Sequence, residues 1–242
     1  MNNLLKNIID TADKGIKQLA VLIDPDKMRI ETVSSFIAKV NQSIATHIFV
    51  GGSEVDDGLT ETLIIELKKY TELPIILFPG DVIQITDKAD GILFLSLISG
   101  RNPDYLIGKQ VEAVSKLAKT NLEIIATGYV LIENGKETAV QRVSETKPIK
   151  RSDIQLIKDT AKAGELLGMK LIYLEAGSGA THPIESHIIS EVKRQLNIPL
   201  IVGGGIKTKM ALDSAYNAGA DLVVIGTAFE DDETFFKKLK KP

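Results

Sequence analysis

Three stretches near the end of the chain decide its fold: KLIYLEAGSGA (170–180), IPLIVGGGI (198–206) and ADLVVIGTAFE (220–230). Each is a short apolar run that leads into glycine. A strand that is buried on both faces of a parallel sheet has this composition. Glycine after such a strand lets the backbone come close to a bound group. The three stretches therefore predict parallel strands whose carboxyl ends carry ligand-binding loops.

Earlier runs share this composition and bring the set to eight: QLAVLI (18–23), HIFV (47–50), PIILF (74–78), GILFLSL (91–97) and LEIIATG (122–128). Stretches with helical periodicity lie between them. Such an alternation forms either a closed barrel or a large, open, doubly wound sheet. The even spacing, and a length of 242 residues close to the ~250 of a (β/α)8 barrel, favour one TIM-barrel domain over residues 1–242.

One segment interrupts this alternation after the fifth strand. Residues 129–151 contain two alternating stretches, YVLIE and TAVQRV, around Asn134–Gly135. Because Asn-Gly favours two-residue hairpin turns, the pattern predicts an inserted hairpin. Loops that follow strands lie at the catalytic end of a barrel, so the hairpin either borders the site or makes an oligomer contact.

The composition excludes several functional classes. The net charge of −3 gives no bulk positive charge for a nucleic-acid partner. The chain has no cysteine, which excludes disulfide and thiolate chemistry and agrees with a cytoplasmic location. No apolar run reaches the ~18–20 residues of a membrane span. The tail FFKKLKKP (235–242), with Phe235 and Phe236 turned inward, predicts at most peripheral contact with an anionic membrane.

The glycine-rich ends of strands six, seven and eight predict a phosphate site. A phosphate group needs several converging backbone N–H donors, and TIM barrels commonly place such a site after strands seven and eight. A single glycine at a strand end is often only turn chemistry, but here GSG, GGG and GT follow three successive strands. Because Lys207 is the nearest cation in the sequence, we expect backbone dipoles to supply most of the binding.

Two carboxylates stand at strand ends. Asp24 ends the first strand, where its oxygens suit a hard cation, and Ser53 offers a hydroxyl after the second; a turn or helix cap is the alternative for Asp24. Glu175 ends an apolar strand, where a charge needs a partner or a task, and Tyr173 shares its side of the strand. Glu175 is therefore a candidate general base for a ligand hydroxyl, or else forms a salt bridge at the barrel mouth.

Several motifs follow one another from the first strand to the last: LIDPDK (22–27), FVGGS (49–53), LFPG (77–80), SLISGRNP (96–103), YLEAGSGA (173–180), VGGGI (202–206) and IGTAFE (225–230). Together they resemble the geranylgeranylglyceryl phosphate synthase family. The resemblance implies a Mg²⁺-dependent (β/α)8 prenyltransferase. Such an enzyme joins a hydroxyl of sn-glycerol 1-phosphate to C1 of a polyprenyl diphosphate, for which geranylgeranyl diphosphate is the first candidate, and releases diphosphate.

The resemblance also implies roles for particular residues. Asp24 and Ser53 match the family's Mg²⁺ positions, and Glu175 matches its proposed base. The positions that match its glycerol 1-phosphate site are Tyr173, Leu174, Glu175, Ala176, Gly177, Ser178, Gly179, Gly204, Gly205, Gly226 and Thr227. One bacterial branch has lysine two residues before the aspartate, whereas this chain has Leu22, as in a branch with many archaeal members. The resemblance thus implies a homo-oligomer, either a dimer or a hexamer, and leaves the length of the prenyl donor open.

Two other functions are consistent with the glycine-rich phosphate loops when these are considered without the other motifs. An isomerase or lyase that acts on a sugar or another small-molecule phosphate needs no Asp24 metal site and no apolar groove. A non-catalytic phosphate sensor or oligomeric scaffold binds without turnover. A prenyl donor, in contrast, requires a groove near the strand ends, for which the candidate residues are Phe78, Pro79, Leu97, Ile98 and Tyr129.

Overall fold

Parallel strands close into a barrel in this computed structural model, which describes residues 3–53, 55–231 and 233–240. Each strand pairs with the next in chain order, and the last pairs with the first. This arrangement confirms the predicted TIM barrel. The strands are β1 (Gln18–Ile23), β2 (His47–Val50), β3 (Ile75–Leu77), β4 (Gly91–Ser96), β5 (Glu123–Leu131), β6 (Leu171–Glu175), β7 (Leu200–Gly203) and β8 (Leu222–Ile225).

Helices cover the outside of the barrel. Between β3 and β4 only a short 3-10 turn, Val82–Gln84, fits the few residues available, and a π-helical turn, Asp104–Gly108, leads into the helix after β4. The α-helices are α1 (Leu4–Asp13), α2 (Val33–Gln42), α3 (Leu59–Leu67), α4 (Lys109–Leu117), α5 (Ala139–Val143), α6 (Ile154–Leu166), α7 (Ser186–Lys193), α8 (Lys209–Asn217) and α9 (Thr227–Asp231).

The buried residues form two clusters because successive side chains of a strand point to opposite faces. In β1, Leu19 and Val21 pack outward with the helices, whereas Ala20 lies in the barrel interior. The interior cluster also includes Leu4 and Ile8 of α1. Helix α1 therefore packs on the barrel interior and covers the end opposite the strand carboxyl ends.

The predicted hairpin in residues 129–151 is wrong. The first alternating stretch is the end of β5, which runs to Leu131. Ile132 then makes a parallel bridge to Ile149, and the second stretch forms helix α5. In place of a hairpin turn at Asn134–Gly135 the chain makes a bend, in which Gly135 has a φ of +92°.

Local chemistry explains why TAVQRV is helical. Thr138 caps α5 by accepting a hydrogen bond from the Gln141 N–H at 3.3 Å, which satisfies one of the unpaired donors in the first helical turn. Val140 and Val143, three residues apart, lie on the same side of the helix and line a cavity at the barrel mouth. The three-residue spacing of these valines therefore determines the helical structure of this stretch, although its apolar and polar residues also alternate as in a strand.

The aromatic residues of the tail are buried, as the sequence predicts. Phe236 stacks on Phe229 with ring centroids 3.9 Å apart, and it meets Phe36 edge-on at 5.3 Å. Phe235 lies 5.4 Å from Phe229. The last two residues of the tail lie outside the described part of the chain, in which no helix is long and apolar enough to cross a membrane.

Glu123 at the start of β5 fastens α1 to the barrel. Its two carboxylate oxygens accept the backbone N–H groups of Leu4 at 2.6 Å and Leu5 at 2.9 Å. These N–H groups have no partner within the helix, and the positive end of the helix dipole favours a carboxylate there. One side chain thus joins the covering helix to the sheet.

We expect Glu123→Ala to lower the free energy of unfolding by about 1.5–3 kcal/mol, because hydrogen bonds to a charged group are lost. Urea denaturation measures this change. Glu72→Ala, which removes an exposed carboxylate, is the matched control and should change stability by less than about 0.5 kcal/mol. Equal losses in both variants would contradict a specific role for Glu123.

Candidate active site

The carboxyl ends of the strands surround a cavity of about 450 Å³. Of the residues predicted from the sequence, those that line it are Asp24, Ser53, Tyr173, Glu175, Ser178, Gly179, Gly204, Gly205, Gly226 and Thr227. Leu174 and Ala176 instead belong to the outer core cluster, because they alternate with Tyr173 and Glu175 along the chain. Gly177 contributes through its backbone N–H.

The cavity has an apolar arm. Phe78, Pro79, Leu97 and Tyr129 line it, as proposed for a prenyl groove. Ile98 does not: its Cδ1 lies beside Gly128 and Gly164, on the side of β5 that faces helix α6. The wall is completed by residues that the sequence did not single out for this role, among them Leu95, Tyr105, Val140 and Val143. The insertion therefore borders the site through α5.

Glu175 is buried at the end of β6, with 5 % of its surface exposed. Its Oε1 accepts the Gly177 N–H at 2.5 Å. Tyr173 and Tyr129 also donate their hydroxyls to the carboxylate, and these three donors favour its charged form. Burial outweighs them and raises the pKa of Glu175 above its usual value.

An aromatic cluster holds the two tyrosines in place. Tyr129 and Tyr173 are paired in register between β5 and β6, and their rings meet edge-on at 5.3 Å. Phe78 stacks on Tyr173 at 5.3 Å and also contacts Tyr129 at 5.9 Å. Among the described residues no cation forms a salt bridge with Glu175, so the cluster favours a buried base over an ion pair at the mouth.

The end of β7 comes so close to Glu175 that only glycine fits there. A Cβ atom on Gly204 would lie 2.5 Å from Oε1 of Glu175, and Gly204 has a φ of +84°. A Cβ atom on Gly203 would overlap the hydroxyl of Tyr173. The glycines therefore leave room for the carboxylate and place backbone groups beside it.

The loops after β6 and β8 also meet. The hydroxyl of Ser178 lies 3.3 Å from that of Thr227. A Cβ on Gly226 would lie 3.3 Å from the Cβ of Leu22, closer than an ordinary contact, so the loop after β8 packs tightly against β1. Hydroxyl and backbone N–H groups of three successive loops therefore border one side of the cavity, as an anion site requires.

Asp24 lies on the other side. Its carboxylate accepts the Asp26 N–H at 3.2 Å and pairs with the Lys27 ammonium at 3.1 Å. A Cβ on Gly52 would lie 2.9 Å from Asp24 Oδ1, so the loop after β2 packs directly against this carboxylate. Ser53 follows in the same loop.

Gln84 is a site residue that the sequence analysis missed. Its buried amide accepts the Gly52 N–H at 3.3 Å and donates to the Gly52 carbonyl at 2.8 Å. This pair of bonds fixes the loop that carries Ser53 beside Asp24. The only sequence signal was a polar residue inside the apolar segment VIQI.

Comparison with known proteins places the chain among its relatives. The sequence profile of the PcrB family matches residues 14–241. The chain belongs to the PcrB family.

Relatives in this family carry the name that the motifs suggested. The geranylgeranylglyceryl phosphate synthase of Flavobacterium johnsoniae is 56% identical over 236 residues, which cover 98% of this chain and 97% of the relative. That of Zunongwangia profunda is 57% identical over 233 residues, covering 96% and 99%. The solved structure of (S)-3-O-geranylgeranylglyceryl phosphate synthase from Thermoplasma acidophilum in complex with its substrate sn-glycerol-1-phosphate has a TM-score of 0.93 at 32% identity and covers 99% and 96%. These matches confirm the resemblance.

The donor set for a metal ion in this PcrB-family site is small. The described residues contain no group of three or more Asp, Glu, His or Cys side chains that could hold a metal ion. Mg²⁺ is commonly held by one or two carboxylates, with water and substrate phosphates as its other ligands. Asp24, beside the hydroxyl-bearing loop of Ser53, fits that kind of site.

We expect Glu175→Gln to stabilise the folded protein above neutral pH. Because burial raises the pKa of Glu175, its ionised form opposes folding at every pH above that raised value. This destabilisation decreases as the pH falls below the raised pKa, and it is lost at the pKa of a glutamate in the unfolded chain, about 4.3. The melting temperature of the variant should therefore exceed that of the wild type at about pH 8, by roughly 2–4 °C for each kcal/mol regained.

Calorimetry across the pH range measures this difference, which should shrink towards about pH 4. Glu72→Gln, at an exposed position, should show no such trend. A difference that stays constant with pH would mean that the carboxylate charge is not its origin.

Proposed function

We propose that this protein is a prenyltransferase that forms an ether bond between sn-glycerol 1-phosphate and a polyprenyl diphosphate, with geranylgeranyl diphosphate as the first candidate donor. The single observation that carries the proposal is the position of the buried Glu175. It lies between the loops suited to binding an anion and the apolar arm of the cavity. Its named relatives and the structure of the Thermoplasma acidophilum enzyme with glycerol 1-phosphate support it.

The acceptor fits the side of the cavity formed by β6, β7 and β8. The phosphate would bind to backbone N–H groups and hydroxyls around Ser178, Gly204, Gly205 and Thr227, since these groups border the same space. Binding the phosphate there would bring the free glycerol hydroxyl toward Glu175. Holding the acceptor at two points removes much of the entropic cost of a bimolecular reaction.

Glu175 would serve as the base. The glycerol oxygen attacks C1 of the prenyl group while the C1–O bond to diphosphate breaks. The hydroxyl proton passes to the Glu175 carboxylate, and diphosphate leaves with the bonding electron pair. A raised pKa improves this group as a proton acceptor near neutral pH. Tyr129 and Tyr173 orient the carboxylate through their hydroxyls.

The prenyl chain fits the apolar arm. Its walls are side chains without charge at Phe78, Leu97, Val140 and Val143. An extended hydrocarbon gains about 0.8 kcal/mol for each methylene that it buries. An isomerase or lyase of small phosphates has no use for such a surface.

We also propose that the reaction uses Mg²⁺, held by Asp24 and the Ser53 hydroxyl together with the donor diphosphate. When bound, the ion would neutralise charge on the leaving diphosphate. Gln84 would keep the Ser53 loop in place through its two bonds to Gly52. A homo-oligomeric state, either dimer or hexamer, and a cytoplasmic location stay predictions from the sequence.

We expect the purified protein to convert sn-glycerol 1-phosphate and geranylgeranyl diphosphate, with Mg²⁺, into an ether lipid phosphate, and to prefer this acceptor over sn-glycerol 3-phosphate. Glu175→Gln should lower kcat by about 10²–10⁴-fold, the usual contribution of general base catalysis. Product formation is followed by radiolabel or mass spectrometry, and a panel of prenyl donors gives the preferred chain length.

Glu72→Gln is the control and should retain wild-type kcat, because this exposed side chain does not line the cavity. Full activity of Glu175→Gln would remove this residue from the mechanism. Turnover of a non-prenyl phosphate, without any prenyl transfer, would replace the proposed function by an isomerase or lyase.

We expect Asp24→Asn and chelation by EDTA each to abolish most prenyl transfer, and Mg²⁺ to restore the chelated wild type but not the variant. The reason is that an amide is a poorer ligand than a carboxylate for a hard cation. Asp57→Asn, at an exposed position after β2, should behave as wild type. Activity that is insensitive to EDTA would rule out the Mg²⁺ site.

A further inference from the structure

The insertion packs along the glycine-rich loop after β6. Asn134 is buried, and its side chain donates to the carbonyl of Ala176 at 2.5 Å. Thr138 is also buried, and its methyl group occupies the space into which a Cβ on Gly177 would project. Two anchors four residues apart therefore fix the segment between them beside this loop.

Lys136 lies midway between these anchors. Its backbone N–H donates to Asn134 Oδ1 at 3.3 Å, and its ammonium nitrogen lies 3.2 Å from the position of a Cβ on Gly179. In the described part of the chain no carboxylate lies within ion-pair distance of this ammonium group. A positive charge is thus placed at the edge of the loop whose other members are backbone groups and the Ser178 hydroxyl.

The surrounding charges make this position distinctive. Lys207, in the loop after β7, also lines the cavity. The other two lysines that line it are paired with carboxylates, Lys27 with Asp24 at 3.1 Å and Lys109 with Asp81 at 2.6 Å. Both of these paired lysines lie on the Asp24 side of the mouth. Gly179 instead follows Ser178, whose hydroxyl contacts that of Thr227. A phosphate in the loops of β6 to β8 therefore has Lys136 on its outer side.

We propose that Lys136 binds the phosphate group of the acceptor, as a cation that the insertion supplies, in addition to Lys207 of the loop after β7, to a nest formed mostly by backbone donors. This inference rests on the proposed function, because it takes the acceptor to be a glycerol phosphate bound at Gly179. It assigns the insertion a role in substrate binding besides that of α5 in the groove. Because the Lys136 side chain is exposed, its ammonium group is able to move into contact with the phosphate when the acceptor binds.

Binding of sn-glycerol 1-phosphate, measured by isothermal titration calorimetry and as KM in steady state, tests this. In Lys136→Gln we expect Kd and KM for the acceptor to rise about 3- to 10-fold, as for one partly solvated charge pair at about 4 Å. The value of kcat and the KM for the prenyl diphosphate should stay within about twofold of wild type. The difference should shrink at about 0.5 M NaCl because salt screens exposed charges.

Lys136→Arg should retain most of the affinity, and Lys147→Gln, which removes another exposed charge from the same insertion, should match the wild type. Unchanged acceptor affinity in Lys136→Gln, an equal loss in Lys147→Gln, or a rise in KM for the prenyl diphosphate alone would each overturn the proposal. A wild type that binds the acceptor without forming ether would refute the proposed function but still decide the role of Lys136 through Kd. A wild type that does not bind it would refute both.

Discussion

A carboxylate that is removed from water must receive its hydrogen bonds from the protein, and much of the site is arranged to give them to Glu175. The Gly177 N–H and the hydroxyls of Tyr129 and Tyr173 supply these donors. The register between β5 and β6 sets the two tyrosines side by side. The absence of a side chain at Gly204 leaves space for the carboxylate. The order of the strands, their register and the positions of the glycines therefore all contribute to accommodating the buried carboxylate of Glu175.

The barrel and the cluster at its mouth were predictable because each depends on local sequence. Strands buried on both faces are continuous apolar runs, and the carboxyl ends of parallel strands meet at one end of a barrel. From this alone, Glu175, Asp24 and the glycine loops had to lie near one another. The insertion was predicted wrongly because YVL belongs to β5, and because Val140 and Val143 follow a helical spacing inside a stretch that also alternates.

Other site residues were beyond local reasoning because their contacts join distant parts of the chain. The amide of Gln84 pairs with a peptide group 32 residues away. Lys136 reaches Gly179 from a segment that the hydrogen bond between Asn134 and Ala176 holds beside the loop after β6. A polar residue inside an apolar segment was the only signal for Gln84, and nothing in the composition around Lys136 distinguishes it from an ordinary surface residue. Their positions follow from packing between loops.

Helix α5 allows one part of the cavity wall to vary during evolution while the rest is constrained. The acceptor side of the cavity is constrained by backbone: Gly203 and Gly204 accept no side chain without displacing Tyr173 or Glu175. Another part of the wall includes Val140 and Val143, side chains of a five-residue helix that belongs to no barrel strand. Substitutions there alter the length or width of the apolar arm and leave the carboxylate and its donors untouched. Donor preference can thus diverge between related species while the acceptor chemistry is inherited unchanged.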